Sequence, residues 1–272
     1  NASGISATAL GDTTVAEGDY SLAAGSFAVA TGESSSALGD TANALGDYST
    51  AVGASAYASG SGSVALGSHA TELSDNGIAI GNGAYVGATY GGAPTRGIAI
   101  GYQAAATGKG SIVIGNGAHT AGAGKYAIAM GNNAYVGRNA VAIGNNSNAV
   151  GKYGTAVGSN SNAVSSFATA FGSRANAEGG SATAIGSNAQ ATGGFSTALG
   201  YFSRASGTGS LAFGNGTDAS GYSAMAIGQG TTAAGVHSIA QGYEANVGAY
   251  GYNAIAIGTQ SYTIAGVTGC TG

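Results

Sequence analysis

The sequence predicts an all-β solenoid of about 18 repeats, each of 14 residues and two short strands. The first observation is a period: an apolar-Ala-apolar phrase ends on an anchor glycine 18 times, and 13 of the 17 intervals between anchors are 14 residues. The second is an alternation of small and large residues within each phrase, which is the two-residue period of a strand. Such strict repetition is typical of stacked units rather than of separate domains.

The two residues before each anchor have opposite character. Ala stands two residues before the anchor in 17 of 18 repeats, with Val113 as the exception. The residue directly before the anchor is apolar in 17 of 18 repeats, with Gln241 as the exception. We therefore expect a first strand that turns Ala toward a narrow interior and a larger apolar side chain outward.

A second phrase, Ala-x-Gly, follows each anchor after about seven residues, as at Ala58/Gly60 and Ala191/Gly193. Its outward residues are mostly polar, for example Asn162 and Arg204. Glycine at the ends of both strands suits tight turns that need a positive φ. Each repeat is thus predicted to contribute a second strand with a polar outer face.

Composition and charge narrow the function classes. The chain has 272 residues with 53 Gly, one Pro and a net charge of −4, which gives no basic footprint for nucleic acid. Eight of the eleven acidic residues precede residue 76, whereas all seven basic residues follow it. A single cysteine, Cys270, excludes an intrachain disulfide and a cysteine-based metal site.

The apolar residues before the anchors form a stripe that predicts self-association, because a large exposed apolar stripe is unfavourable in water. A stripe parallel to the solenoid axis suits a cyclic oligomer. The residues expected in this interface are Leu66, Ile80, Ile100, Ile114, Ile143, Val157, Phe171, Ile185, Leu199, Phe213, Ile227, Gln241 and Ile257.

The phrase Asn139-Ala140-Val141-Ala142-Ile143-Gly144-x-x-Ser147 resembles the Asn-Ser-Val-Ala-Ile-Gly-x-x-Ser repeat of YadA-like heads in trimeric autotransporter adhesins. A second close copy begins at Asn253 and ends at Ser261. The resemblance implies a left-handed parallel β-roll, three chains per head and a place on the surface of a Gram-negative bacterium. It also implies binding to host matrix proteins such as collagen, fibronectin or laminin, or to other surfaces.

The domain boundaries follow from the repeat and the resemblance. We expect a β-roll head over 1–262, with an inserted loop over 82–100, and the start of a neck over 263–272. The resemblance implies that membrane anchoring belongs to C-terminal parts outside this sequence.

Two sets of residues are candidates for ligand binding. The two close copies supply the first set, although the favoured interpretation places their aliphatic residues in the oligomer core: Asn139, Val141, Ala142, Ile143, Gly144, Ser147, Asn253, Ile255, Ile257 and Ser261. The inserted loop supplies Tyr90 and Arg96, because loops on a rigid scaffold often carry recognition.

The predicted function is that of a non-enzymatic adhesion head that makes multivalent contacts. The alternative is a secreted ice-binding solenoid that uses a threonine ladder at Thr155, Thr169, Thr183 and Thr197. His69, His119 and His237 follow their anchors by different offsets, so no two share a face. Phosphate-loop and nucleophile-elbow motifs are missing from the sequence, and we predict no catalytic, cofactor or metal site.

Overall fold

The computed structural model describes residues 1–87, 96–122 and 124–265. In these ranges the chain is a parallel β-solenoid without helices, and each turn of the solenoid consists of a first and a second strand. The chain divides into two units, Asn1–Asn139 and Ala140–Gly272. Each unit contains nine turns, so the expected number of about 18 turns is confirmed.

The strands of the first unit are two or three residues long. Its first strands are β1 (Thr8–Leu10), β3 (Leu22–Ala24), β5 (Ser36–Leu38), β7 (Thr50–Val52), β9 (Val64–Leu66), β11 (Ile78–Ile80), β13 (Ile98–Ile100), β15 (Ile112–Ile114) and β17 (Ile128–Met130). Its second strands are β2 (Val15–Ala16), β4 (Val29–Ala30), β6 (Asn43–Ala44), β8 (Tyr57–Ala58), β10 (Thr71–Glu72), β12 (Tyr85–Val86), β14 (Ala105–Ala106), β16 (His119–Thr120) and β18 (Tyr135–Val136).

The strands of the second unit lengthen toward its end. Its first strands are β19 (Val141–Ile143), β21 (Thr155–Val157), β23 (Thr169–Phe171), β25 (Thr183–Ile185), β27 (Thr197–Leu199), β29 (Leu211–Phe213), β31 (Met225–Gln229), β33 (Ile239–Tyr243) and β35 (Ile255–Ile257). Its second strands are β20 (Asn148–Ala149), β22 (Asn162–Ala163), β24 (Asn176–Ala177), β26 (Gln190–Ala191), β28 (Arg204–Ala205), β30 (Asp218–Ala219), β32 (Thr232–Ala233), β34 (Asn246–Tyr250) and β36 (Tyr262–Ala265).

Equivalent strands of successive turns pair in parallel, so each unit has one sheet of first strands and one of second strands. In the regular repeats the paired residues are 14 positions apart, as in Leu22 with Ser36 and Thr183 with Thr197. Paired strands lie about 4.8 Å apart, and the solenoid therefore advances by about that distance with each turn.

Alanine fills the narrow interior between the two sheets of each unit. The inward residue of the first strand, such as Ala37, and that of the second, such as Ala44, are fully buried. The residues on either side of Ala37 in its strand are half-buried and face outward. The predicted alternation is therefore confirmed. Small side chains are required because neither sheet can move away from the other while the chain turns back within a few residues.

The glycines at the two ends of the turns have different roles, which the sequence did not distinguish. The anchor glycines have φ between 123° and 139°, as expected for turns that need a positive φ. Gly18 and Gly32, which follow second strands, do not have a positive φ. A Cβ at Gly18 would instead collide with the carbonyl group of Gly32 in the next turn. Glycine is required there because stacked backbones approach closely.

A left-handed backbone conformation recurs about every seven residues, at both ends of the turns. Many residues other than glycine adopt it. Tyr20 and Phe27, for example, have φ of 59° and 55°. This conformation costs an L-residue roughly 1–2 kcal/mol. The ladder between turns enforces it, since Tyr20 N donates to Ile5 O at 2.7 Å and Phe27 N donates to Asp12 O at 2.9 Å.

Strands occupy both ends of the predicted inserted loop 82–100. Tyr85–Val86 forms β12 and Ile98–Ile100 forms β13, so the extra residues are confined to the stretch between these two strands. The interval between Gly81 and Gly101 is 20 residues instead of 14, and this irregular length led to the prediction of an insertion over the whole span, although both of its ends carry strand residues. At the other boundary, β36 continues to Ala265. Residues 266–272, with most of the predicted neck and Cys270, lie outside the described residues.

Candidate interaction surface

The outward side of each first-strand sheet carries the predicted stripe, here called the apolar face. In the first unit, Leu66, Ile80, Ile100 and Ile114 pair with one another in register on successive turns. In the second unit the column runs through Ile143, Val157, Phe171, Ile185, Leu199, Phe213, Ile227, Gln241 and Ile257. A single chain leaves this face open to solvent: Phe171 is 54 % exposed and Ile257 47 %.

A second outward column lies beside the first on the same face. It includes Ile78, Ile98 and Ile112 in the first unit, which pair in register and are half-buried. In the second unit it contains the predicted threonine ladder, whose members also pair in register: Thr155, Thr169, Thr183 and Thr197. Each threonine is separated by one inward alanine from an exposed or half-buried apolar residue, so the four turns present a mixed surface.

The two close copies of the family phrase divide between the inside and the outside of the solenoid. Ala142 and Ser147 are fully buried, and Ser147 Oγ donates to Gly144 O at 3.0 Å. Ser261 is 8 % exposed and also faces inward. The side chains of Val141, Ile143, Ile255 and Ile257 remain on the apolar face. Of the two asparagines that begin the copies, Asn253 is exposed at a turn, whereas Asn139 is half-buried and its Oδ1 is buried.

Of the two candidates in the inserted loop, Tyr90 lies outside the described residues. Arg96 is exposed and has a φ of 46°, at the turn position directly before the buried Gly97. Its guanidinium group is therefore available to a partner.

Glu72 is a buried carboxylate that the sequence analysis did not single out. It occupies the inward position of β10 and is fully buried, in register with Ala58 and Val86. Its Oε1 accepts hydrogen bonds from the backbone N–H and the hydroxyl of Ser74, whereas Oε2 has no partner among the described residues. Burial raises the pKa of Glu72 above its ordinary value, although the Ser74 hydrogen bonds oppose this shift.

Aromatic side chains project from several turns of the second unit. The rings of Tyr153 and Phe167, on successive turns, stack with centroids 5.1 Å apart. Lys152 Nζ lies 4.9 Å from the centroid of the Tyr153 ring, within the range of a cation–π interaction. Phe195 is 73 % exposed. Aromatics at turn positions show no strand or helix period, which is why sequence reasoning missed them.

The polar face of the second unit carries an amide ladder. Asn148 Nδ2 donates to Asn162 Oδ1 at 3.0 Å, and Asn162 Nδ2 donates to Asn176 Oδ1 at 3.1 Å. Asn176 Nδ2 in turn donates to Glu178 Oε1 at 2.9 Å. This ladder confirms that the second strands turn polar side chains outward.

The three histidines occupy different positions within their turns, as their offsets predicted. His69 and His237 occupy left-handed turn positions, whereas His119 lies on β16. In the described part of the chain, His, Cys, Asp and Glu side chains nowhere gather in threes as metal ligands would. None of the described residues forms a helix with the length and apolarity needed to span a bilayer.

The fold and its open apolar face define a class of protein, the parallel β-solenoids whose outer sheet carries a continuous apolar surface. The family model of the YadA head domain repeat (2 copies) matches residues 2–28, 30–56, 44–70, 58–84, 95–118, 136–161, 163–189, 191–217, 219–245 and 249–263. These matches cover most of the chain, and the protein therefore belongs to the YadA head family, whose members are adhesin-like. No curated protein matches the chain significantly.

Proposed function

We propose that this chain is the head of a trimeric autotransporter adhesin on the surface of a Gram-negative bacterium. The observation that carries the proposal is the apolar face, which is continuous within each unit and open on a single chain, in a protein built of YadA head repeats. A surface of this size in water favours association with other copies. The family match gives the ice-binding alternative no support.

In the proposed assembly three left-handed rolls place their apolar faces against a common axis. Each face then becomes buried, which stabilises the trimer by about 25 cal/mol for each Å² of apolar surface removed from water. Ile143 and Ile257 would contribute to this core, and the copies of Gln241 would meet near the axis. The second-strand faces and the turns stay in solvent, where they are available to ligands.

We further propose that the trimer binds host matrix proteins such as collagen, fibronectin or laminin, or the surfaces of cells and materials. The described residues offer shallow sites, such as the stacked Tyr153 and Phe167 and the exposed Arg96. Each such site occurs three times in a trimer. Simultaneous engagement of weak sites raises the overall affinity without a deep pocket.

The first test is the mass in solution, by sedimentation equilibrium at low micromolar concentration with Cys270 reduced. We expect about three times the 25.5 kDa of one chain. Beads coated with the trimer should then adhere to at least one of immobilised collagen, fibronectin and laminin more strongly than to albumin. A stable monomer, or adhesion equal to that on albumin for all three proteins, would contradict the proposal.

A further inference from the structure

Three basic residues of the first unit lie on consecutive turns, each in the loop that follows a second strand. They are Lys109, Lys125 and Arg138, and all three are exposed. Tyr126 N donates to Lys109 O at 2.8 Å, and Asn139 N donates to Lys125 O at 2.8 Å. Because these bonds stack the loops on one another, the three residues follow each other at intervals of about 4.8 Å. We call them the basic row.

The charge of the basic row has no nearby carboxylate in the sequence to neutralise it. The sequence contains no Asp or Glu between Asp75 and Glu178. The loop of Asp75 precedes that of Lys109 by two turns, or about 10 Å. This is about the distance over which 0.1 M salt screens exposed charges. The net charge of −4 conceals the row, because eight of the eleven acidic residues precede residue 76.

The side chain of Tyr126 lies beside the basic row. Tyr126 directly follows Lys125 and is 57 % exposed. A Cβ added to Gly110, which directly follows Lys109, would be 3.1 Å from Cδ1 of the tyrosine ring. The ring therefore lies against the loop of Lys109, while much of its surface stays in solvent.

A second pair of rings lies on the second-strand sheet of the same turns. His119 on β16 and Tyr135 on β18 are in register, and their ring centroids are 4.5 Å apart. The His119 ring is exposed, and its Nδ1 lies 2.9 Å from Gly117 O, which holds the orientation of the ring. Each of these two turns thus carries an aromatic ring on its second strand and a cation of the basic row in the loop that follows.

We propose that this surface binds single-stranded nucleic acid. The basic row follows the phosphates of the strand, and the rings provide surfaces on which bases stack. Phosphates of one strand are about 3.4 Å apart along the axis of a duplex and farther apart in an extended strand, and the long side chains of Lys and Arg adapt to such spacing. We call this surface the basic-aromatic patch; it consists of Lys109, His119, Lys125, Tyr126, Tyr135 and Arg138.

The aromatic rings favour this ligand over other linear polyanions. A row of cations attracts any polymer with closely spaced negative charges, including a duplex or a sulfated polysaccharide. The bases of a duplex are already paired and stacked, and a sulfated polysaccharide carries no flat π system. Unpaired bases use the exposed rings as well as the cations, at a gain of roughly five- to hundredfold in affinity for each base that stacks.

The basic-aromatic patch lies within the first unit of a single chain, on second strands and the loops that follow them. Binding of a strand therefore requires neither the trimer nor a matrix protein, and a trimer that uses the apolar face leaves the patch in solvent. Acidic residues occupy the equivalent loop position earlier in the chain, at Asp19, Glu33 and Asp47. Because they repel phosphates, a bound strand is confined to the basic part of the unit.

Fluorescence anisotropy of a labelled thymidine oligonucleotide of about 20 nucleotides, titrated with the full chain between 50 and 500 mM NaCl, tests the proposal. We expect saturable binding whose association constant falls by about two decades for a tenfold rise in salt, because each neutralised phosphate of a single strand contributes about 0.7 to the slope. An abasic strand of the same length, the same strand paired with its complement and a heparin oligosaccharide of equal charge should each bind at least fivefold more weakly.

Substitutions separate the contribution of the cations from that of the rings. Arg138→Gln should weaken binding at low salt and reduce the slope by about 0.7, because one phosphate contact is lost. Tyr126→Ala should weaken binding at least fivefold and leave the slope unchanged, because stacking releases no counterions. Arg138→Lys keeps the charge and Tyr126→Phe keeps the ring, and both should bind as the wild type does.

Tyr20 and Arg204 supply matched controls outside the patch. Tyr20 occupies the same left-handed turn position as Tyr126 and is 62 % exposed, but it follows an aspartate. Arg204 is exposed on β28 of the other unit. Tyr20→Ala and Arg204→Gln should bind the oligonucleotide as the wild type does.

A chain that does not bind the oligonucleotide at 50 mM NaCl would overturn the proposal. Equal affinity for the abasic strand, the duplex or heparin would also overturn it, as would losses in the controls as large as those in the patch variants. Each of these results leaves the mass of the trimer, and with it the proposed function, unaffected. A monomeric chain that binds the strand with the expected slope would contradict the proposed function and support the patch.

Discussion

At the scale of the single residue, Glu72 shows how one substitution changes the interior of a turn. Its carboxylate enters a column otherwise occupied by Ala58 and other small residues. Space for it comes from Gly77, where a Cβ would collide with the carboxyl oxygen. Burying a carboxylate with one unpartnered oxygen is unfavourable in its charged form. Folding therefore shifts the equilibrium of Glu72 toward its protonated form relative to the unfolded chain.

This leads to a prediction about pH. Because the folded-state pKa of Glu72 is raised above its ordinary 4.5, its contribution to stability is full below pH 4.5 and is lost as the pH rises through the folded-state value. Glu72→Gln cannot titrate and should remove this part of the pH dependence. Denaturant unfolding of both proteins between pH 4 and 8 measures it.

Glu17→Gln, which replaces an exposed carboxylate by the same amide, is the control. The stability difference between wild type and Glu72→Gln should grow in favour of the variant as the pH rises. The difference between wild type and Glu17→Gln should stay nearly constant. Equal slopes for wild type and Glu72→Gln would mean that Glu72 is ionised at the same pH in the folded and unfolded states.

At the scale of the element, each turn depends on two kinds of strained position. The anchor glycine has a φ that side chains rarely adopt, and its neighbour in the next turn leaves no room for a Cβ. The position two residues later is left-handed but open, and Asn, Thr and Phe occupy it in other turns. Backbone conformation and steric clearance therefore restrict the first position, and conformation alone restricts the second.

Gly214 and Gly216 test this difference within one turn. Gly214 has a φ of 135° and lies against the carbonyl of Gly228. Gly216 has a φ of 63°, and a Cβ added there would have no neighbour within 4 Å. We expect Gly214→Ala to destabilise the protein by roughly 3 kcal/mol or more, because strain and a steric clash add. Gly216→Asn should cost less than about 1 kcal/mol.

Thermal and denaturant unfolding of the two variants, measured side by side, supply the comparison. A Gly214→Ala protein as stable as Gly216→Asn would show that the turns can separate without cost. That result would contradict the close stacking of one turn on the next.

At the scale of the whole molecule, the apolar face gives the chain a route to association. Contact between copies would remove its aliphatic and aromatic side chains from water, which is favourable in proportion to the apolar area buried.

Ile185→Asp tests this route. Ile185 is 36 % exposed on β25, in register with Phe171 and Leu199. In the proposed trimer the change places three carboxylates near the axis, and we expect the trimer to weaken by at least tenfold in sedimentation equilibrium. Gln190→Asp, on the outward face of β26 in the same turn, should leave the mass unchanged. Trimers of unchanged stability in Ile185→Asp would exclude the apolar face as the interface.

Much of the architecture could be predicted because every repeat carries the same kinds of residue at the same positions. Ala at one column and aliphatic residues at the next are enough to identify the inner and outer sides of the first strand. The roles of Gly18 and Gly32 could not be separated from those of the anchor glycines. A close contact between turns and a positive φ both require glycine, so the sequence looks the same in the two cases. Glu72 could not be recognised as buried from the sequence, since a single Glu in a column of alanines gives no sign of which way its side chain points.

The sequence by itself determined the two-strand repeat, the number of turns and the outward position of the apolar residues, because these follow from periods of 14 and two residues. Only the tertiary structure decided which turn positions are strained, that Ser147 and Ser261 face inward and that Glu72 is buried. These properties depend on how close one turn lies to the next, and that distance results from stacking rather than from any single repeat.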